Sequence, residues 1–388
     1  MARRLLFTVL VLLTLVNLGL LAFVWIPEWD TGNAFDMVLF DLGTIVMGYA
    51  AGYWLVLPAA LGLLMVVVAV RRGWVRSAWF AGLPAVALLV AAVLPMAAIT
   101  AVAKDRGMSL DYGTPFASGA VPAPQRTETY ASVDGGELKL DVWGATEGAN
   151  RPAVLFVHGG GWIAGSRGMA PRWMQLLVDR GYAVFDIDYR LEGPQRWQKQ
   201  TGDVKCAIGW VRANAAKLGV DPARIGLLGA SAGANLSMLS AYTQGEARLP
   251  ASCAEGAGDT SVRTVVSLYG VTDLVAGYPT LNSSAEYMAE KFTDGTPATH
   301  PEIYRLGSPI THVRPGLPPT LLVHGEHDRL IPASQSTTMA AKLAEAGVQH
   351  DVLMLPWTDH GFDVLAWGGW GSQIANPVVV DFFDKHLR

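Results

Sequence analysis

The pentapeptide Gly229-Ala230-Ser231-Ala232-Gly233 stands between an apolar run, "RIGLLG" (224–229), and a helix-like stretch. A serine on a sharp strand-to-helix turn exposes its hydroxyl, and the flanking glycines remove side chains that would clash there. Five such residues also arise by chance in a chain rich in Gly and Ala, so a base and an orienting acid have to be found as well. An unassisted hydroxyl is a poor nucleophile at neutral pH. His360, in "PWTDHGFD" after the apolar run 351–356, is the candidate base. His158, His324 and His327 are its rivals, and His324, at a strand end, reads as structural. Asp328 follows the run 320–325 and precedes "LIP", where it can orient an imidazole. Asp359 and Asp363 neighbour His360 along a tight loop and read as solvated. His324, His327 and Asp328 straddle a strand end instead of lining one helix face, so no metal site is expected.

Chain order adds weight. Ser231, Asp328 and His360 follow one another as nucleophile, acid and base, each after its own strand-like run, which is the order of α/β-hydrolases. A second feature fits the same chemistry. "LFVHGGGWIAGSR" (155–167) sets Gly159, Gly160 and Gly161 directly after a buried-strand pattern. Glycine is costly to order, so a triple belongs where backbone bends sharply or approaches a ligand closely. Acyl transfer passes through an oxyanion that preorganised N–H donors stabilise by a few kcal/mol each. The N–H of Ala232, at the start of the helix after Ser231, is one such donor, and Gly160 and Gly161 supply the others.

These residues need a scaffold. From residue 126 onward, short apolar runs (137–143, 153–158, 182–189, 224–229, 264–270, 320–325, 351–356) alternate with helix-like stretches (169–180, 200–218, 232–244, 334–347, 372–387). That alternation predicts a mostly parallel sheet with helices on both faces. Ligands bind such sheets at the carboxyl ends of the strands, where all the candidate residues fall.

The first 103 residues differ. They hold no Lys, five Arg and four acids, whereas the remaining 285 carry 24 basic and 29 acidic side chains. A net charge of −4 with no basic block excludes a nucleic-acid binder. Three uncharged stretches, about 5–26, 42–70 and 79–103, each reach the length of a membrane-spanning helix. The first is too long for a cleaved signal and lacks a small-residue cleavage site, so a retained anchor is expected. Arg3 and Arg4 precede the first span, and Arg71, Arg72 and Arg76 lie between the second and third. The positive-inside bias then puts the N-terminus in the cytoplasm and everything after the third span outside. Asp36 and Asp41, at the outer start of the second span, read as headgroup-level residues. Residues 104–125, rich in Gly, Pro, Ser and Ala, read as a linker to the domain 126–388.

Residues from about 126 to the C-terminus resemble the α/β-hydrolases of the hormone-sensitive-lipase-like carboxylesterase group, and also its feruloyl-esterase and kynurenine-formamidase-like branch. The resemblance is carried by His158-Gly159-Gly160-Gly161-Trp162, "DYRL" (188–191), "GVDPARIGLLGASAG" (219–233), "YGVTDL" (269–274), "SPITHV" (308–313), "LPPTLLVHGEHDRLIP" (317–332) and "DHGF" (359–362). It implies an oxyanion hole at Gly160, Gly161 and Ala232. Ala230, where many members have Asp, and Gly233-Ala234, where many have Gly-Gly, depart from the pattern. In this fold the helices flanking the nucleophile strand share one face, so Cys206 and Cys253 can meet. A disulfide between them, permissible outside the cytoplasm, is expected in preference to two unrelated buried thiols.

The expectation is therefore a membrane-anchored, extracytoplasmic serine esterase acting on a small-molecule or lipid ester, with no cofactor. The other readings are acyl transfer to a sugar or lipid hydroxyl, amide or peptide cleavage without a preceding propeller, and a catalytically silent scaffold. Residues 275–312 are expected to shape the pocket, with a fold that cannot be read from the pattern.

Overall fold

Runs rich in Val, Ile, Leu and Phe extend as strands in the computed structural model of the chain, which describes residues 2–25, 44, 55–112 and 120–388. In chain order the helices are α1 (Ala2–Trp25), α2 (Leu55–Arg71), α3 (Val75–Asp105), α4 (Pro171–Asp179), α5 (Arg196–Ala213), α6 (Ala215–Leu218), α7 (Ala232–Tyr242), α8 (Leu274–Gly277), α9 (Ser283–Thr293), α10 (Pro301–Leu306), α11 (Ser334–Glu345), α12 (Phe362–Leu365) and α13 (Trp370–Leu387). The strands are β1 (Arg126–Val133), β2 (Gly136–Trp143), β3 (Arg151–Val157), β4 (Ala183–Ile187), β5 (Val220–Ala230), β6 (Thr264–Leu268), β7 (Thr320–Gly325) and β8 (His350–Leu355). The chain divides into two compact units, Met1–Ala117 with Leu355–Ile374, and Ser118–Met354 with Ala375–Arg388.

The second unit holds a sheet of order β1-β2-β4-β3-β5-β6-β7-β8. β3 pairs in parallel with β4 and β5, and β5, β6 and β7 follow in parallel, while β2 runs antiparallel to β1 and β4. Every residue of β4, β6 and β7 is buried, as strands covered on both faces must be. All seven apolar runs expected from the sequence are strands, and the expected mostly parallel sheet is present. β1 is the addition. It is half exposed, so it lacks an apolar run, and it reaches β2 through Asp134 and Gly135, both at positive φ (50° and 78°). A two-residue Asp-Gly connection is a hairpin signal that the sequence displayed.

Cys206 of α5 and Cys253 form a disulfide spanning 47 positions, with Cα atoms 5.7 Å apart. The bridge sits where small residues of α5 let the chain at 250–256 lie against it. A Cβ on Gly202 would stand 2.7 Å from Pro250 O, and one on Gly209 2.6 Å from the Glu255 carbonyl carbon.

In the first unit, α3 is an unbroken helix of 31 residues through Pro84 and Pro95. Among the described residues, Ala78–Asp105 is long and apolar enough to cross a membrane, and Phe7–Leu20 and Leu55–Arg71 are shorter apolar helices. The loop between the first two expected spans, with Asp36 and Asp41, and most of the start of the second lie outside the described residues. Leu55, Ala59, Leu88 and Ala92 form a buried cluster against which Trp357 packs. Tyr112 meets Trp370 edge-on at 5.7 Å. Gln373 is paired with Asp111 on both sides: its amide nitrogen donates to Asp111 O (2.9 Å), and its Oε1 accepts from Asp111 N–H (2.7 Å). The segment Leu355–Ile374 is thus built into the unit of the N-terminal helices.

Candidate active site

β5 delivers Ser231 and α7 begins directly after it. Ser231 has φ 54° and ψ −119°, a region that non-glycine residues avoid at a cost of about 1–3 kcal/mol. The strain is held from three sides. The Ser231 amide donates to Leu268 O at the end of β6 (2.9 Å), and its carbonyl accepts from the amides of Ala234 (3.0 Å) and Asn235 (3.2 Å). Buried Asn235 then ties α7 to the chain beyond β6 by donating to Val271 O and Gly307 O, each at 3.0 Å. Both glycines of the pentapeptide are required by space. A Cβ on Gly229 would sit 2.6 Å from the Ala234 nitrogen, and one on Gly233 would overlap the carbonyls of Val157 and His158.

The last contact joins the Ser231 turn to the glycine triple. Val157 pairs with Gly229 across β3 and β5, so the residues after each strand emerge side by side. A Cβ on Gly159 would lie 3.3 Å from the Ser231 Cβ. Gly160 and Gly161 have φ of 116° and 59°, conformations open to glycine and strained for other residues. Ala232 opens α7, where first-turn amides have no intrahelical acceptor. His158 stacks on Tyr189 (4.2 Å between ring centres), its Nδ1 lies 2.7 Å from Gly159 O, and Tyr189 donates to His158 O at 3.0 Å. Burial lowers the pKa of His158, which keeps the ring neutral. His158 is a strut for the glycine turn. In "DYRL", Arg190 has the matching role after β4, donating to both Asp203 oxygens at 2.6 and 2.9 Å.

A narrow apolar cleft of about 20 Å³ adjoins Ser231. Its walls come from Gly161 and Trp162, from α8 and α9, and from Leu330 and Ile331. Trp162 stacks on Phe292 of α9 at 4.5 Å, which fastens α9 to the glycine turn. This is how the unreadable region 275–312 resolves. Its helices are short and are set by caps, with Asp273 accepting from Val275 and Ala276 and Asn282 from Ala285.

The side chain of Asp328 is buried in the turn after β7. Its Oδ1 accepts from the amides of Leu330 (2.9 Å) and Ile331 (2.7 Å), and its Oδ2 lies 3.1 Å from His324 Nε2. His324, read from the sequence as structural, is fully buried, with Nδ1 2.7 Å from Ser336 Oγ. Its contact with Asp328 could not be read from the sequence, since nothing in a linear pattern shows which way a strand-end side chain turns. Ser231, Gly160, Gly161, Ala232 and Asp328 thus belong to one unit. His360 belongs to the other, within Leu355–Ile374, where it is buried and donates its amide to Asp359 Oδ1 at 2.8 Å. Asp359 and Asp363, expected in solvent, are buried at 2% and 1% exposure.

BD-FAE matches residues 140–343, more than half of the chain. The chain belongs to the BD-FAE family. Esterase LipC of Mycobacterium tuberculosis is 37% identical over 231 residues, covering 58% of this chain and 57% of that protein. Esterase LipQ of the same organism is 31% identical over 257 residues, covering 63% and 61%. The chain therefore spans about three fifths of the length of these curated relatives. Among solved structures, esterase 2 of Thermogutta terrifontis phosphonylated by sarin superposes with a TM-score of 0.59 at 25% identity, covering 69% of this chain and 96% of that one. The sheet and its helices form the α/β-hydrolase fold.

Proposed function

We propose that this member of the BD-FAE family is a serine hydrolase that cleaves carboxylic esters. The observation that carries the reading is Ser231, held at φ 54° and ψ −119° beside three consecutive glycines. Strain of this kind persists only where surrounding structure enforces it, and it gathers at functional sites. The named esterase relatives support the same chemistry. In the proposed reaction the Ser231 hydroxyl attacks the ester carbonyl while His360 takes its proton. Asp328 holds the tautomer and orientation of the imidazole. The N–H groups of Gly160, Gly161 and Ala232 receive the oxyanion. His360 returns the proton to the leaving alkoxide, and water, activated by the same imidazole, releases the acid from the acyl-enzyme. No cofactor takes part.

We further propose that the N-terminal helices anchor the enzyme in a bilayer as three spans, with the hydrolase outside the cytoplasm. The distribution of exposed apolar side chains supports this. Among the described residues, every exposed large hydrophobic except Met169, Val275, Tyr287 and Val364 lies on α1, α2 or α3, including Leu5, Trp79 and Leu83 at 65–68%. An apolar surface of that extent belongs against lipid or protein. The positive-inside arginines and the Cys206–Cys253 bridge agree with an oxidising exterior.

A fluorophosphonate should label the wild type and leave Ser231→Ala unlabelled and inactive while folded. Labelling or hydrolysis retained by Ser231→Ala would overturn the assignment. External protease should cut the hydrolase in spheroplasts, and full protection would invert the topology.

A further inference from the structure

The cleft beside Ser231 is narrow, about 20 Å³. Apart from Ser231 its walls are apolar, so no charged side chain is available there for an acidic or basic acyl group. Three wall residues, Ala285, Met288 and Ala289, come from one face of α9, spaced at i, i+3 and i+4. Ala285 and Ala289 are buried at 3% and 1% and cannot be made much smaller. Met288 differs, because its side chain runs across the glycine turn. A Cβ on Gly161 would overlap Met288 Sδ and stand 2.6 Å from Met288 Cγ. Met288 is thus the wall that touches the proposed oxyanion glycine, and it closes the cleft at that point. It is also unbranched, with a soft thioether that can give way to a small group. The helix beneath it is less able to yield, since Phe292 stacks on Trp162 and Tyr278 donates to Glu290 at 2.6 Å.

We propose that Met288 sets the acyl-chain limit of the enzyme, confining it to short, uncharged acyl groups of the acetyl-to-butyryl class. The proposal rests on the esterase reading above and specifies its substrate class. An acyl chain entering beside Ser231 meets the Met288 thioether within its first carbons. A longer chain has to displace that side chain from Gly161, which would also disturb the donors meant for the oxyanion. Discrimination of this type reaches about tenfold or more for each methylene that a pocket refuses.

The test uses the full-length protein in detergent, with p-nitrophenyl acetate, butyrate and octanoate, and reads the ratio of kcat/KM for octanoate to that for acetate. The wild type should favour acetate and butyrate over octanoate by at least tenfold. Met288→Ala should raise the octanoate-to-acetate ratio by tenfold or more, mainly through kcat, while Met288→Leu, which refills the volume, should keep the wild-type ratio. Fluorophosphonate labelling of Ser231 in each variant separates a changed pocket from a lost fold. A wild type that prefers octanoate overturns the proposal, as does a labelled Met288→Ala with an unchanged ratio. A wild type that labels at Ser231 but hydrolyses none of the three esters overturns the short-acyl assignment while leaving the nucleophile in place. One that neither labels nor hydrolyses overturns the esterase reading and this proposal with it.

Discussion

Opening the Cys206–Cys253 bridge should destabilise the hydrolase unit without disordering the chain it clasps. The bridge closes a loop of 47 positions. In the chain-entropy treatment, releasing a loop of that length from the unfolded ensemble costs about 4 kcal/mol. The folded state has little reason to change, because the same stretch is tied down independently. Lys205 Nζ donates to Thr243 O (2.8 Å), the Ser252 amide to Gly202 O (3.1 Å), and Arg190 Nη2 to Ser252 Oγ (2.6 Å). The loss therefore falls on the unfolded chain's freedom, and activity at 25 °C should survive. For a unit of roughly 250 residues, each kcal/mol moves the melting midpoint by about 2–4 °C, so a fall of about 8–16 °C is expected. The assay is thermal denaturation, followed by near-UV circular dichroism, of the wild type and of Cys206→Ala/Cys253→Ala, with and without dithiothreitol. Reductant should lower the wild-type midpoint to that of the variant and leave the variant unmoved. Coincident midpoints for all four samples, together with two thiols titrating in unreduced, denatured wild type, would refute the reasoning.

Asp328→Asn should cut kcat by several orders of magnitude with the fold intact, because an amide cannot enforce the imidazole tautomer that a carboxylate does. Should Asp359→Asn prove the more damaging, Asp359 is the orienting acid. Gly161→Ala combines a left-handed φ of 59° with overlap on Met288, so kcat/KM should drop at least tenfold, with about 1–2 kcal/mol of stability lost. Gly168→Ala, at φ 85° but in open space, should show a similar stability loss and normal hydrolysis, which separates strain from chemistry. Asp186 is fully buried, and burial pushes its carboxyl up to about 8 despite the Gly168 amide that donates to it. The unfolded chain ionises at ordinary carboxylate pH while the folded chain keeps the proton, so this residue makes stability fall between about pH 4 and pH 8. Asp186→Asn, followed by urea denaturation across that range, should gain stability relative to wild type as pH rises, and a constant difference would remove Asp186 as the cause.

Much of the molecule was legible because it is written in short-range constraints. Apolar runs bounded by turn residues are strands in any sheet that buries both faces, so β2 to β8 could be read one by one. The turn at Ser231 was legible in part for a similar reason. Gly229 is demanded by the backbone of Gly233 and Ala234 a few positions on, whereas the space that Gly233 needs is set by the carbonyls of Val157 and His158 at the end of β3. β1 escaped because a half-exposed edge strand needs no apolar run, and the Asp134-Gly135 turn was its only strong mark.

Tertiary structure decided the rest. That Met288 lies on Gly161, that His324 faces Asp328, and that Phe292 stacks on Trp162 depend on side chains brought together across gaps of 4 to 130 positions, and no periodicity encodes such meetings. Asp359 and Asp363 read as solvated because a tight polar loop usually is, yet both are buried. The same holds for Leu355–Ile374, which begins at the last residue of β8 and shares its unit with α1–α3 and the chain after them, through Trp357 on the helix cluster and through Trp370 and Gln373 on Tyr112 and Asp111. The sequence by itself determined which runs must be buried and marked the glycine-rich turns, since an apolar run and a left-handed φ are local costs. Which partner fills each contact was settled only by packing, because burial free energy rewards apolar area and close fit with no regard to distance along the chain.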